Sequence, residues 1–130
     1  MKIQEIEAAQ LRNAALQARA TIGGVTSCTR LFAATENGVE VGFLSLDFKR
    51  PPADLEIYEI FVIVGHRQRS VGNSLLAHAE ELARKNGYSH VLLKPKPLDT
   101  TISEDDLIGW YTRKGFVTHP AAECLLRKSI

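Results

Sequence analysis

Cysteine is scarce in this chain of 130 residues: Cys28 and Cys124 are too few and too far apart for a disulfide framework or a clustered zinc site. The two thiols read as ordinary semi-buried cysteines of a reducing compartment. Four histidines are scattered without a pair at ligand spacing, so no metal centre is expected. No apolar run approaches the length that spans a bilayer. The opening MKIQEIEAAQ lacks the apolar stretch and cleavage signal of a secretory leader, and the expectation is a cytoplasmic protein with no membrane partner. An excess of charge of one sign is missing as well. Sixteen basic side chains face 15 acidic ones, a formal net charge of +1, too balanced for binding that rests on general polyanion attraction, and nothing argues for nucleic acid. Repeats, linkers and low-complexity stretches are absent, and the length suits a single domain over residues 1–130. Any anionic ligand must be held by local geometry.

What is present begins with LEIYEIFVIVGHRQRSVGNSLLAHAEELARKNG, residues 55–87. Its first ten residues place Leu55, Ile57, Phe61 and Ile63 on one face and Tyr58, Ile60, Val62 and Val64 on the other, the pattern of a strand covered on both sides. After an arginine-rich turn carrying Gly72, Val71, Leu75, Ala79, Leu82 and Ala83 recur at helical spacing, and Asn86-Gly87 supplies a stop. The spacing predicts a helix over residues 70–86. A helix that opens just after a buried strand aims its unpaired N–H groups and positive dipole end into the turn, a setting for an anion.

Residues 3–20 contain no Gly or Pro and place Ile3, Ile6, Leu11, Ala15 and Ala18 along one stripe, which predicts an amphipathic helix ended by Gly23-Gly24. Residues 26–35 and 39–48 are β-rich runs around Glu36-Asn37-Gly38, a hairpin signal. Lys49-Arg50-Pro51-Pro52 interrupts the pairing. Residues 90–94 form a short strand after a crossover of about twenty residues, which favours a parallel, right-handed connection to the central strand. Pro95 and Pro97 then remove ladder donors, so this strand should part from its neighbour and leave a cleft. Residues 103–114 read as a second helix with Ser103 as N-cap and Gly115 as stop, Phe116 folding back on it, and residues 122–128 as a final strand.

This order of elements resembles the GNAT-type N-acetyltransferase superfamily, and two motifs carry the match. The R/Q-x-x-G-x-G/A turn is matched by Arg67, Gln68, Arg69, Ser70, Val71 and Gly72, followed by Asn73-Ser74-Leu75-Leu76. The F-Y-x-x-x-G-F helix end is matched by Trp110-Tyr111-Thr112-Arg113-Lys114-Gly115-Phe116. The resemblance covers residues 38–117, and the competing P-loop and G-x-G-x-x-G phosphate motifs are missing. It implies an α/β (α+β) fold: a mixed, largely antiparallel sheet with a central parallel, splayed strand pair and helices on both faces. It also implies acetyl-CoA as co-substrate without a metal, held by Arg67, Gln68, Arg69, Ser70, Val71, Gly72, Asn73 and Ser74 in the turn and by the backbone of Val62 and Ile63. Two positions depart from the pattern. Ser70 stands where the first glycine usually does, adding a Cβ that disfavours positive φ and a hydroxyl able to cap the helix or meet a phosphate. Glu104 stands where many members carry a cofactor-contacting asparagine, so that contact is not carried over.

Moving an acetyl group from a thioester to an amine needs a neutral amine, a stabilised oxyanion and a proton for the leaving thiolate. The resemblance makes Tyr111 the proton donor, whereas helix periodicity alone reads it as a core ring at i+4 from Leu107. Glu59 interrupts an apolar strand, where a carboxylate must be hydrogen-bonded or face a wet cleft. Burial favours the protonated form of a carboxyl, the direction a general base needs, and the alternatives are a structural partner or a solvent-facing position. Glu56, nearer the strand's start, ranks second. His66 and His78 read as surface residues. Asp99, Glu104, Asp105 and Asp106 could attract a cationic amine or simply complement a helix dipole. The leading expectation is an acyl-CoA-dependent N-acetyltransferase with direct transfer to a small-molecule or protein amine. The alternatives are a non-catalytic CoA-binding or partner-regulating module on the same fold and a plain interaction domain. The amine, the acyl length and a homodimer are left open.

Overall fold

The computed structural model describes residues 1–23, 26–66, 70–97 and 102–130. Its first element corrects the helix expected over residues 3–20. Lys2–Ile6 (β1) is a strand, antiparallel to Thr29–Glu36 (β2). Ile3 and Ile6 pack into two different core clusters, as residues of opposite parity on a pleated strand do. A short 3-10 turn, Ala8–Gln10, leads to the helix proper, Ala14–Gly23 (α1). It buries Leu16 and Ala20 and leaves Ala15 and Ala18 exposed. Asn13 caps it, its Oδ1 accepting from the Leu16 N–H at 3.1 Å. The buried Glu40 carboxylate accepts from the Arg12 and Asn13 N–H groups at 2.7 and 2.6 Å, an anion at the positive end of the helix.

Asn37 and Gly38 both take positive φ, 51° and 79°, the geometry that joins two strands tightly, and β2 turns there into Val39–Asp47 (β3). Leu55–Val62 (β4) pairs antiparallel with β3. Val71–Lys85 (α2) crosses over to His90–Leu93 (β5), which runs parallel to β4 as expected. Glu104–Arg113 (α3) follows, capped by the Ser103 hydroxyl accepting from the Asp106 N–H at 3.1 Å. Val117–His119 (β6) carries too short and polar a pattern to be read from the sequence. Ala122–Ser129 (β7) inserts between β5 and β6, completing a seven-stranded sheet of order β1-β2-β3-β4-β5-β7-β6 with one parallel pair.

Two core clusters flank this sheet. The larger holds Val71, Leu75, Leu76, Ala79 and Ala83 of α2 together with Tyr111 of α3 and Phe116; the smaller holds Leu16 and Ala20 of α1 with Leu31, Ala33 and Phe43. The central strand serves both, but not with the faces that simple alternation predicts. In its register Ser45 faces Glu59 and Leu46 faces Ile57, so Tyr58 is an extra residue, a β-bulge. One inserted residue reverses the parity of everything after it. Leu55 and Ile57 therefore share a cluster with Ile60 and Val62, while Phe61 and Ile63 pack on the α1 side. Close approach of β3 and β4 beyond the bulge depends on Gly42, where a Cβ would lie 2.7 Å from the Phe61 carbonyl oxygen.

Candidate active site

The parallel pairing of β4 with β5 joins Leu55, Glu56 and Ile57 to Val91, Leu92 and Leu93. Beyond it β4 runs on through residues 58–62, while β5 gives way to irregular chain containing Pro95 and Pro97. The two central strands part there, as the prolines predict. Tyr58, the bulged residue of this central strand, is 48 % exposed. Of the turn that follows β4 and precedes α2, Arg67, Gln68 and Arg69 lie outside the described residues.

Ser70 occupies the left-handed region, φ 63° and ψ 17°, despite its Cβ. Such a conformation costs a non-glycine residue roughly 1–2 kcal/mol. Its exposed side chain makes no capping hydrogen bond; the α2 ladder begins from its carbonyl, which accepts from the Ser74 N–H at 3.0 Å. Val71 is fully buried, so its side chain packs the core, and Asn73 is exposed. Gly72 needs no positive φ, and a Cβ there would meet only the Trp110 ring at 3.6 and 3.8 Å, an ordinary contact. Among the described residues nothing packed against this place requires glycine. A cradle kept open at a helix N-terminus suits a ligand that must approach the backbone closely. Val62 is buried at the end of β4, and the Ile63 N–H donates to the Val41 carbonyl at 2.9 Å.

Tyr111 is 6 % exposed, with its ring edge-on to Trp110 at 4.8 Å and to Phe116 at 5.5 Å between centroids. Burial pushes its phenol well above the ordinary tyrosine range. It therefore carries its proton throughout the neutral range and can serve as a donor, not as a base.

Glu59 lies on the α1 side of β4 and is 7 % exposed. Of the alternatives open to it, the structure supplies a partner: Arg19 of α1 forks onto it, Nε to Oε2 at 3.2 Å and Nη2 to Oε1 at 3.1 Å. Breaking such a buried pair by removing one member costs about 3–5 kcal/mol, because the other charge is stranded. Across the ladder, Ser45 stands opposite Glu59, and its Oγ is buried without a hydrogen-bond partner. Neither residue stands out in the sequence: Arg19 is one of several polar residues on a helix face, 40 positions from its partner. Glu56 makes a more open pair with Lys49 at 3.4 Å. Glu59 and Tyr111 thus lie on opposite sides of the sheet, Glu59 toward α1 and Tyr111 in the larger core cluster, with the β4–β5 ladder ending at Ile57 and Leu93.

Both histidines set aside as surface residues are half-buried. The His66 Nδ1 is enclosed without a partner beside the turn, and His78 lies edge-on to Phe32 at 5.2 Å, its imidazolium disfavoured by burial. Glu104, Asp105 and Asp106 are exposed in the first turn of α3, where they complement its dipole; Asp99 lies outside the described residues. Among the described residues no group of His, Cys, Asp and Glu is arranged to hold a metal, and no helix is long and apolar enough to cross a membrane.

Compared with known proteins, residues 5–116 match the acetyltransferase (GNAT) family. No curated protein gives a significant sequence match. Solved structures share the fold at low identity. A Klebsiella pneumoniae protein assigned as an acyl-CoA N-acyltransferase superposes with a TM-score of 0.71 at 22% identity, covering 98% of this chain and 96% of its own. The IAA acetyltransferase of Bacillus cereus gives 0.70 at 18% identity and 99% of both chains. A GNAT family acetyltransferase from Elizabethkingia anophelis with acetyl-CoA bound gives 0.67 at 16% identity, covering 99% of this chain and 97% of its own.

Proposed function

The chain belongs to the GNAT family of acetyltransferases, and from that premise we propose that it is an N-acetyltransferase moving an acetyl group from acetyl-CoA directly to an amine. The observation that carries this reading is the parting of β4 from β5 just before a helix N-terminus whose Gly72 is kept free of a side chain. The end of β4 at Val62 and the turn from Arg67 to Ser74 would hold the co-substrate, whereas the Ile63 backbone expected to share this role is already engaged, its N–H on the Val41 carbonyl and its carbonyl on the His66 N–H. Acetyl-CoA supplies the activated thioester. Glu59 accepts a proton from the acceptor amine, directly or through water, on the α1 side. Tyr111 holds the proton that the leaving thiolate needs, at Oη, on the α2 side. The buried faces of β4 around the opening exclude water from the acyl group.

Acetyl-CoA at a hundredfold excess over its dissociation constant should stabilise the protein by about 2.7 kcal/mol, a rise in Tm on the order of 10 °C. Gly72→Val should lose most of that rise; a Cβ alone would make only ordinary contact with the Trp110 ring, and the melt of the unliganded variant checks that the longer side chain is accommodated. Thermal melts with and without millimolar acetyl-CoA check both; no shift in the unmodified protein removes the co-substrate assignment.

Glu59→Gln keeps the shape and deletes the basic lone pair, but it also strands the Arg19 guanidinium, so a melt of the variant must show it folded before its rate is read. Turnover of acetyl-CoA with a saturating amine should fall by about a hundredfold or more, with acetyl-CoA affinity preserved. An undiminished rate across the pH profile returns Glu59 to structure. One observation favours a second reading, a CoA-binding module without catalysis: both oxygens of the base are already engaged by Arg19. Thioester consumption with a panel of amines separates the two, because a binder shows the thermal shift and no turnover.

A further inference from the structure

The α1 side of β4 carries two features that stability alone does not explain. The Glu59 carboxylate, buried in a central strand, has both oxygens taken by one guanidinium from α1, and that guanidinium's side chain is 25 % exposed. Directly across the ladder the Ser45 hydroxyl is buried with no hydrogen-bond partner. A buried ion pair is often no more stabilising than an apolar replacement, and an orphaned hydroxyl is costly. Both are accounted for if this space is a seat for a cation with several N–H donors. We propose that Arg19 occupies the seat of the acceptor as an internal cation, and that the acceptor is a cationic amine that enters by exchanging its ammonium for this guanidinium at Glu59 and Ser45.

The inference rests on the reading of Glu59 as the base on the acceptor side. Exchange is what selects the class. An incoming ammonium replaces one positive charge beside the carboxylate with another, whereas a neutral or anionic acceptor would leave Glu59 buried and unpaired. An ammonium has three donors, enough to meet both the carboxylate and the Ser45 hydroxyl, which the Arg19 fork leaves unserved. Arg19 is placed to leave because it is the more exposed partner, 25 % against 6 % for the Glu59 side chain.

Chemical rescue tests the seat without any turnover. Arg19→Ala is titrated with ethylammonium or ethylguanidinium chloride, against propionamide at equal concentration and ionic strength, while Tm is followed. Both cations should raise Tm saturably, propionamide should not, and Arg19→Ala/Glu59→Gln should respond to none of them. An equal response to propionamide, or an undiminished response in the double variant, overturns the proposal. A purely structural ion pair would also be rescued by a cation, so Arg19→Lys is read alongside whether or not Arg19→Ala folds. Its ammonium keeps the charge and gives up the fork, making a weaker occupant, so the KM for a cationic amine should fall severalfold at an unchanged KM for acetyl-CoA; a KM that is unchanged or raised overturns the exchange. Full turnover in Glu59→Gln would remove the base assignment alone, and the cation titration judges the seat independently of it.

Discussion

Tyr111→Phe is expected to lower turnover by about a hundredfold or more, with little change in acetyl-CoA affinity or in stability. The substitution deletes one oxygen and keeps the ring, so the edge-on contacts with Trp110 and Phe116 survive. Burial raises the phenol pKa, so the proton is present at every working pH but is given up less readily than by an ordinary tyrosine, and the hydroxyl acts by donating a hydrogen bond to the departing thiolate as its charge develops. The rate is to be measured in a single turnover, with chemistry limiting, because slow product release would hide the loss. A thiol is already a fair leaving group, which sets the hundredfold near the lower end of acid catalysis. An intact rate in a well-folded variant returns Tyr111 to packing, with solvent as the proton source.

Phe116→Ala should cost about 3–5 kcal/mol of stability. Phe116 is fully buried, and it sits just after Gly115, whose φ of 98° ends α3 and turns the chain back on itself. Its N–H donates to the Tyr111 carbonyl at 3.1 Å while its ring packs against the Tyr111 ring, so one residue anchors both the end of the helix and the proposed acid. Against a total of roughly 5–15 kcal/mol for a domain, the loss should lower Tm by on the order of 10–20 °C. Equilibrium denaturation checks it. A cost under about 1 kcal/mol would mean that the ring is not in the core. Phe116→Leu, which keeps most of the volume, should recover the greater part.

Where local chemistry decides structure, the sequence was legible. Asn37-Gly38 made the hairpin, Ser103 and Gly115 bounded α3, and the helical recurrence from Val71 to Ala83 placed α2 to within a residue or two. The prolines after β5 marked where the central strands part. Residues 3–20 depart from the helix that their periodicity predicts because helix propensity is a weak preference that a distant partner overrides: the ladder to β2 supplies hydrogen bonds that local periodicity cannot show. Ser70 shows the same limit. Its Cβ disfavours a left-handed backbone, yet the strand and helix it joins hold it there.

The sequence by itself determined the element types over most of the chain, the family, and the two residues through which acetyl transfer is proposed to run. Motif spacing and short-range sterics carry that information within a few residues of one another. Only the tertiary structure decided which side of the sheet each candidate serves. A single bulged residue, Tyr58, reverses the parity of β4 and turns Glu59 toward α1, where Arg19 meets it and Ser45 lies opposite. The register of two paired strands is set by contacts summed over the whole sheet, not by the residues of either strand alone.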